Sequence, residues 1–277
     1  MALNVISYGG GIQSTALLVL AAKGELNEIF GGEVKHFLFA NTGDDSEHPK
    51  TLEFVRTVAI PYAKAHNLEI HELSRTLRDG TTETLYGRIA NPNRKAYVIP
   101  VRLSNGAPAS RHCTVDFKID VVNKWLKKNG ATKDEPAKVG IGISVDEIER
   151  AGRGKDEPYT RRIYPLLHLG LRRDNCEVII RESGLPVPPK SSCYFCPWHS
   201  KKHWSEMRRD EPELFAKSVE LEKIINEKNK ASGAQPTYLT DLKKPLDEGI
   251  AEAQDALFDV NDGIFNGGEC DSGVCWV

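Results

Sequence analysis

Three consecutive glycines near the start of the chain form the first pattern that could do chemistry. Gly9–Gly11 follow a short apolar run and precede Gln13, Ser14 and Thr15. Glycines allow close backbone approach and positive φ, and a helix start offers unpaired N–H groups and a positive dipole end. The pattern predicts a strand, a glycine turn and a helix N-terminus that bind phosphate, with the two hydroxyls as further donors. The alternative is an ordinary turn between the first strand and helix of an α/β protein.

Two further strand ends carry groups suited to a ligand site. Residues 34–40 predict a second strand that ends at Asn41–Asp45, and residues 139–144 predict another, which contains Gly140 and Gly142. Ligands of open parallel sheets lie beyond the carboxyl ends of the strands. After the later strand, Asp146 and Glu147 offer oxygen ligands for Mg2+. Alternatively, Asp146 caps a helix and Arg150 pairs with Glu147.

The cysteines form a second chemical pattern. The six are Cys113, Cys176, Cys193, Cys196, Cys270 and Cys275. Cys193-x2-Cys196 places two thiolates on one tight turn, as zinc and iron–sulfur sites require, although a redox dithiol has the same spacing. Cys113 and Cys176, each at the start of an element, complete a set of four metal ligands. The spacing does not separate zinc from a [4Fe–4S] cluster, and Cys113 alone would also suit a small buried hydrophobe. Cys270 and Cys275 in the glycine-rich tail suit a mobile thiol carrier or a structureless end.

Basic residues accompany the first of these cysteines. Lys118 lies about one helical turn after Cys113, within reach of an anion near that helix start. The irregular stretch 74–112 is also basic. Its cationic residues are Arg75, Arg78, Arg88, Arg94, Lys95, Arg102 and Arg111. An anionic substrate such as a nucleic-acid backbone would explain them, and so would a solvated surface excursion.

Composition limits the class of protein. The 277 residues are 27% charged and 40% hydrophobic, which is ordinary for a globular protein. A formal charge of −2 gives no global case for nucleic-acid binding. There is neither a run of about 18 apolar residues nor a secretory leader, so we expect a cytoplasmic protein with no membrane partner.

The predicted elements place these groups on an α/β scaffold. The first 73 residues read as β-α-β-α-β, which is typical of a doubly wound parallel sheet. Helices are expected near 46–67, 121–126, 176–183 and 199–229, and loops are expected from Ser232 onward. We therefore predict an α/β nucleotide-binding domain at 1–165 and a mainly helical, cysteine-containing region at 166–277.

Five motifs fall in an order that resembles a known superfamily. They are Gly9-Gly-Gly-x-Gln-Ser14, Asn41-Thr-Gly-Asp44, Arg111-x-Cys113-Thr-x3-Lys118, Gly142-Ile-Ser-x-Asp146-Glu147-x2-Arg150, and Lys190-Ser-Ser-Cys193-x2-Cys196-Pro197. The chain resembles the PP-loop, or adenine nucleotide α-hydrolase, superfamily. Within it, the chain is similar to the phosphoadenosine-phosphosulfate-reductase-like branch, which includes sulfonucleotide reductases and the sulfur-transfer protein of DNA phosphorothioation. Gly9 and Gln13 stand where the family pattern has Ser and Asp.

The resemblance implies a five-stranded parallel sheet that binds ATP with Mg2+. The implied nucleotide-binding residues are Ser7, Gly9, Gly10, Gly11, Gln13, Ser14, Thr15, Phe39, Ala40, Thr42, Gly43, Gly142, Ser144, Asp146 and Arg150. It also implies a [4Fe–4S] cluster on the cysteines, with Zn2+ as the alternative, and catalytic roles for Lys118, Cys270 and Cys275.

The function that the resemblance implies is ATP-dependent sulfur transfer. The sulfur donor would be sulfide or a cysteine desulfurase, and the acceptor could be tRNA or DNA. A homodimer is a further expectation. One alternative is a phosphoadenosine or adenosine phosphosulfate reductase, which needs a tail cysteine as nucleophile. Another is a nucleotide- and metal-binding subunit of a nucleic-acid modification or defence complex that does not turn over, which the replacements at Gly9 and Gln13 favour.

Overall fold

The computed structural model describes residues 3–94, 97–151 and 158–255, with side chains to residue 251. The chain divides into two compact units. We call residues 3–82 and 114–192 the sheet unit, and residues 83–113 and 193–255 the helical unit. This division differs from the predicted boundary at 165/166. Residues 166–192 belong to the sheet unit because their helix packs on the first helix of the chain.

The sheet unit is built on five parallel strands. They are β1 (Asn4–Ser7), β2 (His36–Asn41), β3 (Glu69–Ser74), β4 (Ala137–Ile141) and β5 (Thr160–Ile163). Their spatial order is β3-β2-β1-β4-β5, and every neighbouring pair is parallel. The α/β class and the five-stranded parallel sheet are therefore confirmed.

The helices follow the strands in an alternating order. They are α1 (Ile12–Ala22), α2 (Asn27–Phe30), α3 (Pro49–Phe54), α4 (Ile60–Ala65), α5 (Leu85–Ala90), α6 (His112–Thr114), α7 (Asp120–Lys128), α8 (Pro165–His168), α9 (Arg173–Glu182), α10 (Lys201–Asp210), α11 (Pro212–Ala231) and α12 (Leu246–Asp255). A 3-10 helix spans Val145–Arg150. Tail residues 246–255 are thus helical, where the sequence predicted loops.

Apolar side chains cover both faces of the sheet. Successive residues of a strand point to opposite faces, and Ile6 and Val5 accordingly belong to two different core clusters. Helix α1 is buried from Ile12 to Leu20 and packs against α9 through the cluster that contains Ile6. A helix that is apolar on every side has to be enclosed, so α1 and the turn before it are held firmly.

Two π-helical turns interrupt the helices beside the sheet. Val55–Ala59 joins α3 to α4, and Val115–Ile119 joins α6 to α7. Pro61 follows the first of these turns. Proline has no N–H to donate to the carbonyl four residues earlier, which favours a locally wider turn there.

A buried carboxylate organises the helical unit. Glu222 on α11 accepts hydrogen bonds from the backbone N–H groups of Leu239 and Leu246, both at 2.7 Å. Burial raises the pKa of Glu222 to about 7. The predicted helical region 199–229 is confirmed. It consists of two helices, α10 and α11, and the second begins at Pro212.

Candidate functional site

The glycine turn is shaped by hydrogen bonds to Ser14. Ser14 Oγ accepts from the Gly9 N–H at 3.3 Å and donates to the Gly11 carbonyl at 3.1 Å. Gly10 has φ +73°, and a Cβ there would lie 3.1 Å from the Thr51 side chain, so glycine is needed for both conformation and space. Gly11 is the N-cap residue of α1, and glycine has no side chain with which to cap that helix start. The turn therefore ends in backbone N–H groups aimed out of the helix.

Strand β4 approaches this helix start through a second glycine. A Cβ on Gly142 would lie 3.2 Å from the Ser14 nitrogen and 3.3 Å from the Gln13 carbonyl carbon. These atoms belong to the backbone, so they cannot rotate away from a larger side chain. The close backbone approach that the sequence predicted at this strand end is present, and it fixes the position of the α1 N-terminus.

A small crevice opens beside the turn at the carboxyl ends of β1 and β2. Its lining residues are Ser7, Tyr8, Gly9, Leu38, Phe39, Ala40, Glu47, Lys118 and Ser191. Ser7, Gly9, Phe39, Ala40 and Lys118 are residues for which the sequence predicted a site role. Glu47 was missed because it belongs to no glycine or cysteine motif. Ser191 lies in the Lys190–Pro197 cysteine motif but was given no site role. The crevice thus combines one carboxylate, from Glu47, with one ammonium group, from Lys118.

The predicted hydroxyl donor next to Ser14 faces inward. Thr15 is buried, and its Oγ1 lies 3.2 Å from the Tyr8 hydroxyl. Thr15 therefore supports the turn from the core side.

The turn after β2 is braced by an arginine that the sequence reading missed. Arg56 contacts Asp44 at 2.7 Å and Glu72 at 2.6 Å. These hydrogen bonds lower the pKa of both carboxyl groups. Gly43 N–H donates to the Asn41 side chain at 2.8 Å. Three charged side chains therefore meet at the turn after β2.

The 3-10 helix after β4 brings its carboxylates to arginines. Glu147 pairs with Arg150 at 2.6 Å and accepts from Gln13 Nε2 at 3.2 Å. Asp146 accepts from the backbone N–H of Arg173 at 2.7 Å, which lowers the pKa of Asp146, and it also pairs with Arg172. Of the two interpretations that the sequence left open, the structure shows capping and ion pairing. Asp146 caps α9, however, rather than its own helix.

Comparison of the chain with protein-family models, with curated proteins and with solved structures gave no match. Within the described ranges, every helix is too short or too polar to cross a membrane.

The described cysteines separate into two environments. Cys113, Cys193 and Cys196 belong to the helical unit and are partly exposed. Cys196 N–H donates to the Cys193 carbonyl at 3.1 Å, which is the tight turn that Cys-x2-Cys predicts. Cys176 instead lies at 0% exposure in the core of the sheet unit, where burial raises the pKa of its thiol to about 12. Such a thiol favours packing over metal binding. Cys270 and Cys275 lie outside the described residues.

One compact set of ligand atoms was missed by sequence reasoning. Within the part of the chain that the structure describes, three His, Cys, Asp or Glu side chains have ligand atoms within 4.8 Å of one another only at His36, Glu69 and His71. The signal that could have found it is alternation. Glu69 and His71 occupy one face of a predicted strand, and His36 begins the neighbouring strand. The cysteines do not form a set of this kind among the described residues.

Proposed function

We propose that this protein is an ATP-dependent sulfur-transfer enzyme, which adenylates an acceptor oxygen and then replaces it with sulfur. The observation that carries the proposal is the uncapped N-terminus of α1, which follows three glycines and is fixed in place by the backbone at Gly142. That arrangement suits a phosphate chain, because the first N–H groups of a helix lack intrahelical partners and the dipole favours anions.

The crevice residues have distinct roles in this proposal. Backbone N–H groups at the start of α1 would bind the β- and γ-phosphates, and Lys118 would neutralise charge at the α-phosphate. Phe39 and Ala40 would lie against the adenine. Asp146 and Glu147 already pair with arginines. Glu47 lines the crevice and accepts from the neutral Thr42 hydroxyl at 3.0 Å, so it is the better carboxylate for Mg2+. Mg2+ usually combines one or two carboxylates with substrate phosphates.

The proposed first step is an in-line displacement at phosphorus. The acceptor oxygen attacks the α-phosphorus, the bond to the bridging oxygen breaks, and pyrophosphate leaves with that electron pair. In the second step, hydrosulfide attacks the activated acceptor atom, AMP leaves with the oxygen, and the hydrosulfide proton goes to solvent. The protein contributes positioning and charge neutralisation to the first step, which needs no covalent protein intermediate.

Cys113, Cys193 and Cys196 are the residues that would hold a [4Fe–4S] cluster or Zn2+. The turn at Cys193–Cys196 and the partial exposure of all three thiols fit such a group. Cys176 is left out, because its raised pKa disfavours the thiolate that a metal needs. When bound, a cluster would supply a site at which inorganic sulfur is held. Cysteines that hold a metal group suit a reducing compartment, and the cytoplasm remains our expectation.

The test is release of pyrophosphate and AMP from ATP. Purified, anaerobically reconstituted protein is incubated with ATP, Mg2+, sulfide and candidate acceptors, namely bulk tRNA, duplex DNA and small metabolites. We expect acceptor-dependent release of both products, and its absence with intact ATP binding would contradict the proposed activity. A visible spectrum with iron, sulfide and zinc analysis distinguishes the cluster from Zn2+.

One observation favours a second candidate, a nucleotide-binding subunit without turnover. Gln13 is neutral where the resembled family carries Asp, and it bridges Glu147 and Arg173, with the latter contact at 3.5 Å. This network stabilises the loop without placing a carboxylate at the phosphates. Tight ATP binding with neither AMP nor pyrophosphate as product would favour this candidate.

The reductase alternative depends on the tail cysteines. Replacement of both Cys270 and Cys275 by Ser should abolish sulfonucleotide reduction if one of them is the nucleophile. Full activity in the double variant would exclude that role.

The acceptor is proposed to be a nucleic acid on the basis of the basic stretch 75–111. In that stretch, however, Arg102 stacks on Trp198 and Arg88 lies 3.9 Å from Glu83.

A further inference from the structure

The amino-terminal end of the sheet carries a group of side chains that the proposed function does not use. His36 opens β2, and Glu69 opens the neighbouring edge strand β3. In the parallel register His36 lies opposite Glu69, and Leu38 lies opposite His71. Paired residues share a face of the sheet, and residues two apart do so as well. His36, Glu69 and His71 therefore point to the same side.

The three ligand atoms form a triangle. His36 Nδ1 lies 3.0 Å from His71 Nε2, His71 Nε2 lies 3.3 Å from Glu69 Oε2, and His36 Nδ1 lies 3.7 Å from that same oxygen. Zinc bonds of about 2.0–2.2 Å in a tetrahedron separate neighbouring ligand atoms by about 3.3–3.6 Å. The circle through the three atoms has a radius of about 2.0 Å, so an ion slightly above their plane would reach all three at bonding distance.

We propose that His36, Glu69 and His71 form a binding site for a zinc-type divalent cation. Two imidazoles and one carboxylate are ligands that such ions prefer, and Mg2+ or Ca2+ would instead require oxygen-rich sites. The three side chains supply three of four tetrahedral positions. The fourth would be filled by water, because the side chains remain 30%, 64% and 26% exposed, in chain order.

Trp125 on α7 holds the two imidazoles in place. Its ring centroid lies 5.5 Å from that of His36 and 4.9 Å from that of His71. Because the tryptophan already restricts the rotamers of both histidines, they lose less conformational entropy when an ion binds. It also provides a reporter, because paramagnetic ions quench the fluorescence of a nearby indole.

The position of the group suggests what the ion does. Strand β3 is an edge strand, and most of its residues are exposed or half-buried. An ion that joins His36 on β2 to Glu69 and His71 on β3 would fasten the beginning of this edge. The ion would therefore stabilise the sheet unit and leave the carboxyl-terminal crevice unchanged.

The test uses full-length, tag-free protein stripped of metal, titrated with Co2+ and with Zn2+. Co2+ on His and Glu ligands gives visible d–d bands, whereas Co2+ on cysteine thiolates also gives strong near-ultraviolet charge transfer. Ions bound to cysteines are thereby counted separately from ions bound to His and Glu. We expect wild-type protein to bind one more ion than the His36→Gln/His71→Gln variant, through a site without thiolate charge transfer.

Two variants keep the result interpretable. Glu69→Gln changes only an exposed side chain, so the protein should fold, and its Co2+ affinity at this site should fall more than about tenfold, since loss of even an outer partner of a metal ligand costs 10–100-fold. His168→Gln, an exposed histidine elsewhere on the sheet unit, should behave as wild type. Equal stoichiometry and affinity in wild type, Glu69→Gln and the double variant would overturn the proposal.

Discussion

The two ends of one parallel sheet offer different chemistry. At the carboxyl end, a glycine turn leads into the N-terminus of α1, and the crevice beside that turn is lined by one carboxylate and one ammonium group. At the amino end, side chains themselves converge, with His36 and His71 held 3.0 Å apart under Trp125. The contrast shows that backbone suits a polyanion with many acceptors, whereas a small cation needs a few directed side-chain atoms.

The largest expected effect is at the carboxyl end. Gly142→Val places methyl groups against the backbone of Gln13 and Ser14 and should displace the start of α1. Nucleotide affinity should fall about 100-fold, since each hydrogen bond lost to a charged phosphate costs about 1.5–3 kcal/mol. Equilibrium binding of a fluorescent ATP analogue measures it.

The control is Gly140→Ala, which lies two residues earlier, inside β4. A Cβ there would meet Ile6 and Phe30 in the core instead of the turn. It should lower the free energy of unfolding while leaving nucleotide affinity within about twofold of wild type. If both variants lost nucleotide binding equally, the turn would have no special role.

At the amino end, the corresponding effect is stabilisation by metal. Zn2+ at 100 times its dissociation constant should raise the free energy of unfolding by about 2.7 kcal/mol. This should raise the unfolding midpoint by several degrees. Differential scanning calorimetry of wild type and Glu69→Gln, each with Zn2+ and with chelator, measures it. A similar shift in Glu69→Gln would place the stabilising ion elsewhere, for example on the cysteines.

The free energy of unfolding should also depend on pH, because a buried carboxyl group of the helical unit, Glu222, has a shifted pKa. The Glu222 pKa is raised to about 7 from an ordinary value of 4.5. Between pH 4.5 and about pH 7 the folded state binds more protons than the unfolded state, so the free energy of unfolding falls as pH rises. We expect a loss of about 2 kcal/mol between pH 5 and pH 8, measured by urea denaturation.

Glu222→Gln should flatten this pH profile at the cost of one hydrogen bond, because its amide nitrogen cannot accept from Leu239 or Leu246. An unchanged slope in the variant would assign the pH dependence to other groups.

Ser14→Ala tests the turn more gently. It removes the acceptor of the Gly9 N–H and the donor to the Gly11 carbonyl. We expect about 1 kcal/mol of lost stability and about tenfold weaker nucleotide binding. Titration calorimetry with ATP measures the latter. Wild-type affinity in Ser14→Ala would contradict the assignment of this turn as the phosphate site.

The smallest expected effect is the coupling between the ends. Strand β2 spans about 16 Å from its first to its last residue, and sites this far apart normally act additively within about 0.5 kcal/mol. ATP affinity measured with and without saturating Zn2+ should therefore differ less than about twofold. A larger change would mean that the sheet transmits strain between its ends.

The same contrast explains what the sequence could predict. The glycine turn, the Cys-x2-Cys turn and the first three strands depend on neighbouring residues, and patterns of neighbours are visible in a chain. Strand β5 was not identified from its residues, because two arginines occupy its centre. Helix α12 was missed because Gly249 lies within it.

Partners set by strand register or packing could not be predicted. His36 and His71 meet only because β2 and β3 pair in one particular register. Arg56 reaches Asp44 across the turn after β2, and Cys176 is buried because α9 packs on α1. Residues far apart in the sequence acquire these roles only once the sheet is assembled.

The π-helical turn at Val115–Ile119 is a place where a change in the chain would alter the crevice and leave the fold unchanged. Such a turn accommodates one residue more than an α-helix over the same rise. Deletion of one residue within this turn would restore regular α-helix and leave the flanking segments in place, because the π-turn holds that one extra residue. Trp125 could stay docked on β2 and β3 while Lys118 turned out of the crevice. A single genetic event could therefore remove the ammonium group from the crevice and leave the scaffold intact.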